Sequence, residues 1–242
     1  MGGFTIEEVR AHWDAVGNEY DRLNDRVRRI HHQRFRKAMA LWDVHGTHLA
    51  GIRPLRVLNV WSRTGEAIPY LRERMPYAEI VNLEASEVMI GISRKKYPRE
   101  SFGMTDLSPA TLSFPESFHF LLSLETLEHC PAPHAFLSGL FRALRPEGIL
   151  ILSAPTAAME IPQRLYERYS GDHGEGPHRF YFSREVKRML AAEGFRLRGH
   201  EGTLFFPIES AVALSLSERV APAMNALGLS DLGLRQFYVA GK

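Results

Sequence analysis

The sequence predicts a doubly wound α/β domain built on a mostly parallel sheet, and three observations lead to this prediction. From Arg56 onward, short apolar runs alternate with helical stretches. The runs are almost continuously apolar, which is typical of strands that are buried on both faces of a parallel sheet. The chain has 242 residues, of which 45% are apolar. This is enough for one globular domain with modest insertions.

Charge and cysteine content exclude several classes of protein. The 30 Lys and Arg residues nearly balance the 28 Asp and Glu residues, so the formal charge is +2 and gives no electrostatic reason to expect nucleic-acid binding. The single cysteine, Cys130, excludes an intramolecular disulfide and a Cys-rich zinc module. The sequence shows neither a signal peptide nor a transmembrane segment. We therefore expect a cytoplasmic protein.

Residues 1–50 are predicted to form an N-terminal helical cap. Thr5 and Glu8 have the spacing of a capping box, and Val9, Trp13 and Tyr20 recur at helical spacing after it. The stretch 25–50 is rich in Arg, Lys and His, and its charges are expected to coat a solvated face. A basic helix that meets an anionic substrate, lipid headgroups or a partner is the alternative, which leaves peripheral membrane contact open.

The predicted strands follow in order, and they define a second domain over residues 51–242. They cover 57–60, 79–83, 118–124, 148–154, about 195–200, and a closing strand in 234–241. A Gly- and Pro-rich connector at about 156–182 is expected to be a lid or substrate loop. A helix is predicted over 183–193, and an apolar helical insertion over about 207–230. Residues 203–216, together with residues 179–182, are expected to enclose a substrate.

A nucleotide cradle is predicted where the first strand meets a helix. The segment VLNVWSRTGEAIPYL runs from a strand into a turn that contains Gly65. Backbone N–H groups in such a turn can face a bound ligand. Glu84 lies nineteen residues after Gly65, at the end of the second predicted strand. An acid at this place can accept both hydroxyls of a ribose.

Several ordered motifs together resemble class I S-adenosylmethionine-dependent methyltransferases, most closely the branch of ubiquinone and menaquinone biosynthesis. These motifs are VLNVWSRTGE, VNLEASEVMIGISRK, GMTDLS and the stretch Pro115–Pro155. The resemblance implies a Rossmann-like, mostly parallel sheet of seven strands with N-terminal helices and a lid insertion. It also implies methyl transfer from S-adenosylmethionine to an oxygen or carbon of a small, aromatic or lipophilic acceptor.

The resemblance assigns cofactor contacts residue by residue. Glu84 would bind the ribose hydroxyls. At the adenine, Ala85 and Met89 would border the ring, and Asp106 would accept the adenine amine with Leu107 beside it. Ser123 and Leu124 would face the methionine part. The plain alternatives are that Glu84 is a surface acid, that Asp106 is an exposed loop acid, and that Met89 belongs to the core.

One motif departs from the family pattern. Where the family has an acid and three glycines, this chain has Asn59, Trp61, Arg63 and Gly65. Large side chains at two of these positions shift the ligand or block the pocket. Arg63 could hold the carboxylate of the methionine part or hydrogen-bond the loop, and Trp61 could stack on the cofactor or fill the core. Both questions stay open at the level of the sequence.

A second constellation is Glu125-x-x-Glu128-His129. Two carboxylates and an imidazole on one turn suit a divalent ion such as Mg²⁺ or Mn²⁺, and the resemblance to quinone O-methyltransferases implies a metal that binds an acceptor oxygen. The alternative is that His129 supports the helix start or positions the substrate.

His178, in GPHRFYFS, is a candidate general base because an imidazole titrates near neutral pH. A packing role beside the neighbouring aromatic residues is the alternative.

Two other functions also stay open for the whole chain. One is a methyltransferase-like protein that does other chemistry with an altered cofactor site, and the other is a non-catalytic scaffold.

Overall fold

A computed structural model describes residues 3–159 and 176–242, and the central part of the predicted lid lies outside these residues. The described residues form a seven-stranded sheet with the order β3-β2-β1-β4-β5-β7-β6. The strands are β1 Arg56–Val60, β2 Glu79–Glu84, β3 Ser101–Met104, β4 Phe118–Leu124, β5 Leu144–Pro155, β6 Arg196–Thr203 and β7 Arg235–Gly241. Strands β1 to β5 are parallel, whereas β7 runs antiparallel to both β5 and β6. The predicted fold class is confirmed.

Helices cover both faces of the sheet. They are α1 Ile6–Val16, α2 Tyr20–Asp25, α3 Arg28–His45, α4 Ile68–Arg74, α5 Glu87–Lys96, α6 Pro133–Ala143, α7 Ser183–Ala192 and α8 Ala211–Ala226. The side chains of these helices and of the strands pack together in two clusters of buried apolar residues. One cluster includes Trp13 and Trp61, and the other includes Phe35 and Trp42. This division follows from the alternation of side chains between the two faces of each strand.

The register of the parallel strands places three chain segments at one edge of the sheet. Val60 pairs with Leu83 on β2 and with Ser123 on β4. The residues that follow these strands therefore meet at the carboxyl edge, where ligands bind in open α/β sheets.

The first helix begins as the sequence predicts. The Thr5 hydroxyl accepts a hydrogen bond from the Glu8 N–H, and the Glu8 carboxylate accepts one from the Thr5 N–H. Val9 and Trp13 are buried against the sheet domain. The α1 helix is thus held in place by its apolar face, because a helix this short is marginal on its own.

The prediction that the charges of residues 25–50 coat a solvated face is wrong for two residues of α3. His31 and Arg34 are buried, although Arg28, Arg29 and Arg36 are exposed. The reason is the helical period: His31 and Arg34 lie on the same face as Phe35 and the apolar residues further along α3.

The apolar stretch that leads into α8 is expected to enclose a substrate, and this stays a prediction. Ile208 and Val212 are exposed. None of the helices that the structure describes combines the length and the apolar character that a membrane span requires.

Candidate functional site

The loop after β1 has the backbone of a glycine-rich turn at three alternate positions. The φ angles are 61° at Trp61, 53° at Arg63 and 85° at Gly65. Residues other than glycine strain the backbone in this left-handed region, at a cost of roughly 1–2 kcal/mol each. The loop therefore keeps a conformation that suits glycine while two of its positions carry large side chains.

The two large side chains fill the crevice beside this loop, together with Trp13 of α1. The guanidinium carbon of Arg63 lies 3.7 Å from the ring centre of Trp13 and 4.6 Å from that of Trp61. All three side chains are buried. We call these three residues the indole–guanidinium plug. Among the described residues, Nη1 of Arg63 has no hydrogen-bond partner, and burial lowers the pKa of this guanidinium.

This arrangement matches neither of the two sequence-based interpretations of Arg63 in full. Its side chain stacks between indoles, while its backbone N–H donates to the carboxylate of Glu84. For Trp61, the position in the buried cluster matches the interpretation that it fills the core.

Glu84 lies at the predicted place, at the end of β2, but its carboxylate turns back toward the chain. One oxygen accepts the N–H of Arg63 at 2.7 Å, and the other accepts the N–H groups of Ala85 at 2.8 Å and Ser86 at 3.1 Å. The side chain is completely buried, and burial raises its pKa. The carboxylate thus joins the loop after β1 to the start of α5.

Most of the other predicted cofactor residues are engaged within the chain, whereas the buried Oγ of Ser123, at the end of β4, has no hydrogen-bond partner among the described residues. Asn59 donates its amide to Asn82 at 2.9 Å. The carboxylate of half-buried Asp106 accepts hydrogen bonds from Ser108 and Thr111 at the turn after β3. Ala85, Met89 and Leu107 are buried, and Leu124 lines the small cavity described next.

The described residues enclose a small cavity at this edge. The cavity between α3, the loop after β1 and the end of β4 has a volume of about 10 Å³. This is room for about one water molecule, whereas sites for ligands of cofactor size measure roughly 300–1,000 Å³. Its lining includes Arg34, Glu66, Trp61 and Arg63. In this conformation the residues do not fit S-adenosylmethionine, because the plug occupies the crevice.

The Glu125-x-x-Glu128-His129 segment is held by protein partners. The Glu125 carboxylate forms ion pairs with Arg34 on one oxygen and Arg235 on the other. Although burial acts to raise the pKa of Glu125, these two guanidinium groups hold it well below its usual range. Nδ1 of His129 lies 2.8 Å from the carbonyl oxygen of Pro177. The residues that the structure describes contain no group of three candidate metal ligands, so the predicted metal site gains no support.

The sequence analysis missed a buried ionic network next to the small cavity. The guanidinium of Arg34 donates a hydrogen bond to the Tyr20 hydroxyl at 3.2 Å and lies 3.5 Å from the carboxylate of Glu66. The other oxygen of the Glu66 carboxylate lies 2.8 Å from Nε2 of His31. Burial and the charge of Arg34 lower the pKa of His31 to about 4. Burial acts to raise the pKa of Glu66, but His31 and Arg34 lower it to about 2. His31 is therefore neutral at pH 7.

Rings form a continuous row from the surface to the plug. Phe180 stacks on His178 with ring centres 4.5 Å apart, and His178 lies 6.3 Å from His129. His129 in turn is 5.7 Å from the ring centre of Trp61 and 5.5 Å from that of Trp13. Burial lowers the pKa of His129 to about 3, so it is a poor base. Within the row, His178 and Phe180 are half-buried, whereas His129 is buried against the plug.

Comparison with known proteins identifies a family. Residues 29–199, which are more than half of the chain, match the sequence profile of the family described as "Methyltransferase domain". A demethylmenaquinone methyltransferase of Deinococcus radiodurans is 28% identical over 178 residues, which cover 72% of this chain and 68% of the relative. A trans-aconitate 2-methyltransferase of Methylobacterium nodulans is 28% identical over 119 residues, 49% of this chain and 45% of the relative. The chain thus spans less than half of the latter protein.

Solved structures support the fold alone. The magnesium protoporphyrin IX methyltransferase of Synechocystis PCC 6803, with bound SAH, matches with a TM-score of 0.66 at 17% identity. The match covers 97% of this chain and 98% of the chain of that enzyme. The cyclase SpnF has a TM-score of 0.68 at 15% identity, with coverage of 100% and 98%. An enzyme of different chemistry therefore shares this architecture.

Proposed function

The chain belongs to the methyltransferase domain family of class I S-adenosylmethionine-dependent enzymes, and from this membership we propose that it methylates an oxygen or carbon of a small aromatic acceptor. We further propose that its cofactor site opens only when α1 withdraws Trp13. The single observation that carries the proposal is the loop after β1. It keeps positive φ angles at Trp61, Arg63 and Gly65, the conformation in which backbone N–H groups can approach a ligand.

The ring row supports an aromatic acceptor. A flat substrate could stack beside His129 and His178 at the carboxyl edge of the sheet, where aromatic side chains contribute about 0.5–1.5 kcal/mol per ring pair beyond their buried area. The names of the relatives are compatible with small acceptors.

His178 is the better candidate for proton transfer. Its Nδ1 lies 2.8 Å from the carbonyl oxygen of Gly176, and a carbonyl can only accept. Nδ1 therefore carries the proton, and Nε2 of the neutral imidazole can accept a proton from an acceptor hydroxyl. We propose His129 as a wall of the acceptor site, because its low pKa keeps it neutral and weakly basic.

A binding experiment with the full chain tests the proposal. Titration calorimetry with S-adenosylhomocysteine should show weak binding to the wild type and at least tenfold tighter binding to Trp13→Ala, because the apparent Kd depends on the fraction of open molecules. Trp42→Ala is a matched control: Trp42 is an equally buried indole in the other apolar cluster, so it should lower stability without changing affinity. Release of S-adenosylhomocysteine with trans-aconitate or demethylmenaquinone as acceptor then tests turnover.

The filled crevice favours a second candidate, a protein that uses this fold without the sulfonium cofactor. The buried plug and the inward-turned Glu84 carboxylate support it, and a shared fold does not fix the chemistry. Absence of binding in the wild type, in Trp13→Ala and in Arg63→Gly would refute the methyltransferase proposal and leave this one.

A further inference from the structure

Two features that the proposed function does not use lie side by side on the surface. One is the basic start of α3, and the other is the apolar stretch that leads into α8. Glu209 joins them, because its carboxylate oxygens accept the backbone N–H groups of Arg29 and Ile30, each at 3.0 Å. Since Glu209 follows Ile208 directly, its hydrogen bonds to the first turn of α3 place the apolar stretch next to the basic start of α3.

The basic part is an open cleft of ligand size. Its volume is about 470 Å³. The cleft is lined by Asp25, Arg26, Arg28, Arg29, His32, Arg36, Tyr70 and Glu209. Four exposed arginines face two acids, and one of those acids, Glu209, already caps α3. Arg26 and Arg28 form no ion pair with any other residue that the structure describes. The cleft therefore presents an excess of positive charge to solvent.

The apolar part is exposed beyond what an isolated surface residue would suggest. The exposed fractions are 62% for Ile208, 78% for Val212 and 47% for Leu216. Val212 and Leu216 are four residues apart on α8, so they share one face of the helix. In contrast, α8 buries Leu214 and Ser217 against the domain. The described residues leave the outer face of α8 uncovered.

We propose that the arginine cleft and the outer face of α8 together form a docking surface for an anionic membrane. We call this the basic–apolar surface. Apolar side chains that enter the headgroup boundary and arginines that meet anionic lipids are the two contributions that hold peripheral helices at a bilayer. A soluble anion would use the cleft but would gain nothing from Ile208 and Val212, and this favours a lipid surface.

Co-sedimentation of the full chain with vesicles tests the docking surface. We expect binding to phosphatidylcholine vesicles that contain phosphatidylglycerol, little binding to pure phosphatidylcholine, and weaker binding as salt increases. Arg28→Gln and Arg36→Gln should each weaken binding about fivefold, since a basic residue near an anionic surface contributes about 1 kcal/mol. Ile208→Asp with Val212→Asp should weaken it at least tenfold. These side chains are exposed, so the variants should fold, and circular dichroism checks this.

Two substitutions away from the surface serve as controls. Arg99→Gln changes an exposed arginine before the edge strand β3, and Tyr77→Asp changes a side chain that is 77% exposed in the turn before β2. Neither should alter vesicle binding. The proposal is overturned if anionic vesicles do not bind at low salt, or if the controls weaken binding as much as the variants. It is also overturned if millimolar inorganic phosphate abolishes binding while the apolar variants have no effect, or if Ile208→Asp only dissociates a dimer in light scattering.

Discussion

The positive φ angle of Arg63 permits a comparison of two substitutions that remove the same guanidinium. In Arg63→Gly and Arg63→Ala the contacts with Trp13 and Trp61 are lost in the same way. The two variants differ in one methyl group and in the cost of holding φ at 53°. Alanine retains that cost of roughly 1–2 kcal/mol, whereas glycine does not. Glycine loses part of this advantage, about 0.4–1 kcal/mol, because its unfolded chain is more flexible.

We therefore expect Arg63→Gly to be more stable than Arg63→Ala by about 1 kcal/mol. This reverses the usual order, in which alanine is the more stabilising residue. Urea denaturation measures the difference as a shift in the midpoint at constant m-value, because the two variants expose nearly the same area on unfolding. Arg53→Gly and Arg53→Ala, in the exposed turn before β1, provide a pair at a position without a positive φ angle.

Gly65→Ala provides a check within the same loop. Gly65 has a φ angle of 85°, and an added Cβ would lie 2.8 Å from the ring of Tyr97. We expect a loss of at least about 1 kcal/mol from strain alone. An Arg63→Ala variant that equals or exceeds Arg63→Gly in stability would refute the glycine-like backbone, and with it the observation on which the proposed function rests.

Three further predictions concern buried charges. Glu125→Gln should lower the free energy of unfolding by about 3–5 kcal/mol in urea titration, because it leaves Arg34 and Arg235 without their shared carboxylate. The pKa of His31 is about 4 in the folded state and near 6.5 in the unfolded chain, so the unfolded state binds more protons between these values. Stability should thus fall by about 3 kcal/mol as pH decreases from 6.5 to 4, and thermal denaturation of His31→Asn should show a smaller decrease. Glu84→Ala should cost about 1–3 kcal/mol in urea titration without any ligand, since three backbone N–H groups lose their acceptor.

Much of the sheet could be predicted from sequence because its central strands carry an unmistakable signal. The runs 57–60, 79–83 and 118–124 are buried on both faces and contain few polar residues, and each was found within one residue of its observed bounds. The edge strand β3 was missed. Its residues Ser101–Met104 are exposed or half-buried, so they need no apolar run.

The candidate site could be predicted in its location but not in its side-chain arrangement. The position of Glu84 could be predicted because it directly follows the apolar run 79–83, which marks the end of β2. The direction of its carboxylate depends on where the loop amides point, which the φ angles at Trp61 and Arg63 decide. Arg34 did carry a signal, because it lies three residues after His31 and four before Ala38 on the buried face of α3. The prediction of a solvated face followed the high charge of residues 25–50 and not the helical spacing of the buried residues.

The energetics of the plug explain why the crevice can stay closed without a ligand. Burying an indole removes roughly 150–250 Å² from water, which stabilises the fold by about 4–6 kcal/mol at 25 cal/mol per Å². The burial of Trp13 and Trp61 opposes a backbone strain of roughly 2–4 kcal/mol at the two non-glycine positions. The indole N–H groups of both residues and Nη1 of Arg63 are buried without a hydrogen-bond partner among the described residues, which reduces this gain. A ligand must compete with this packing. If opening costs about 3 kcal/mol, a micromolar affinity is weakened about 150-fold. Under the proposed function, the cofactor would then bind this chain only at high concentration, or after α1 has moved.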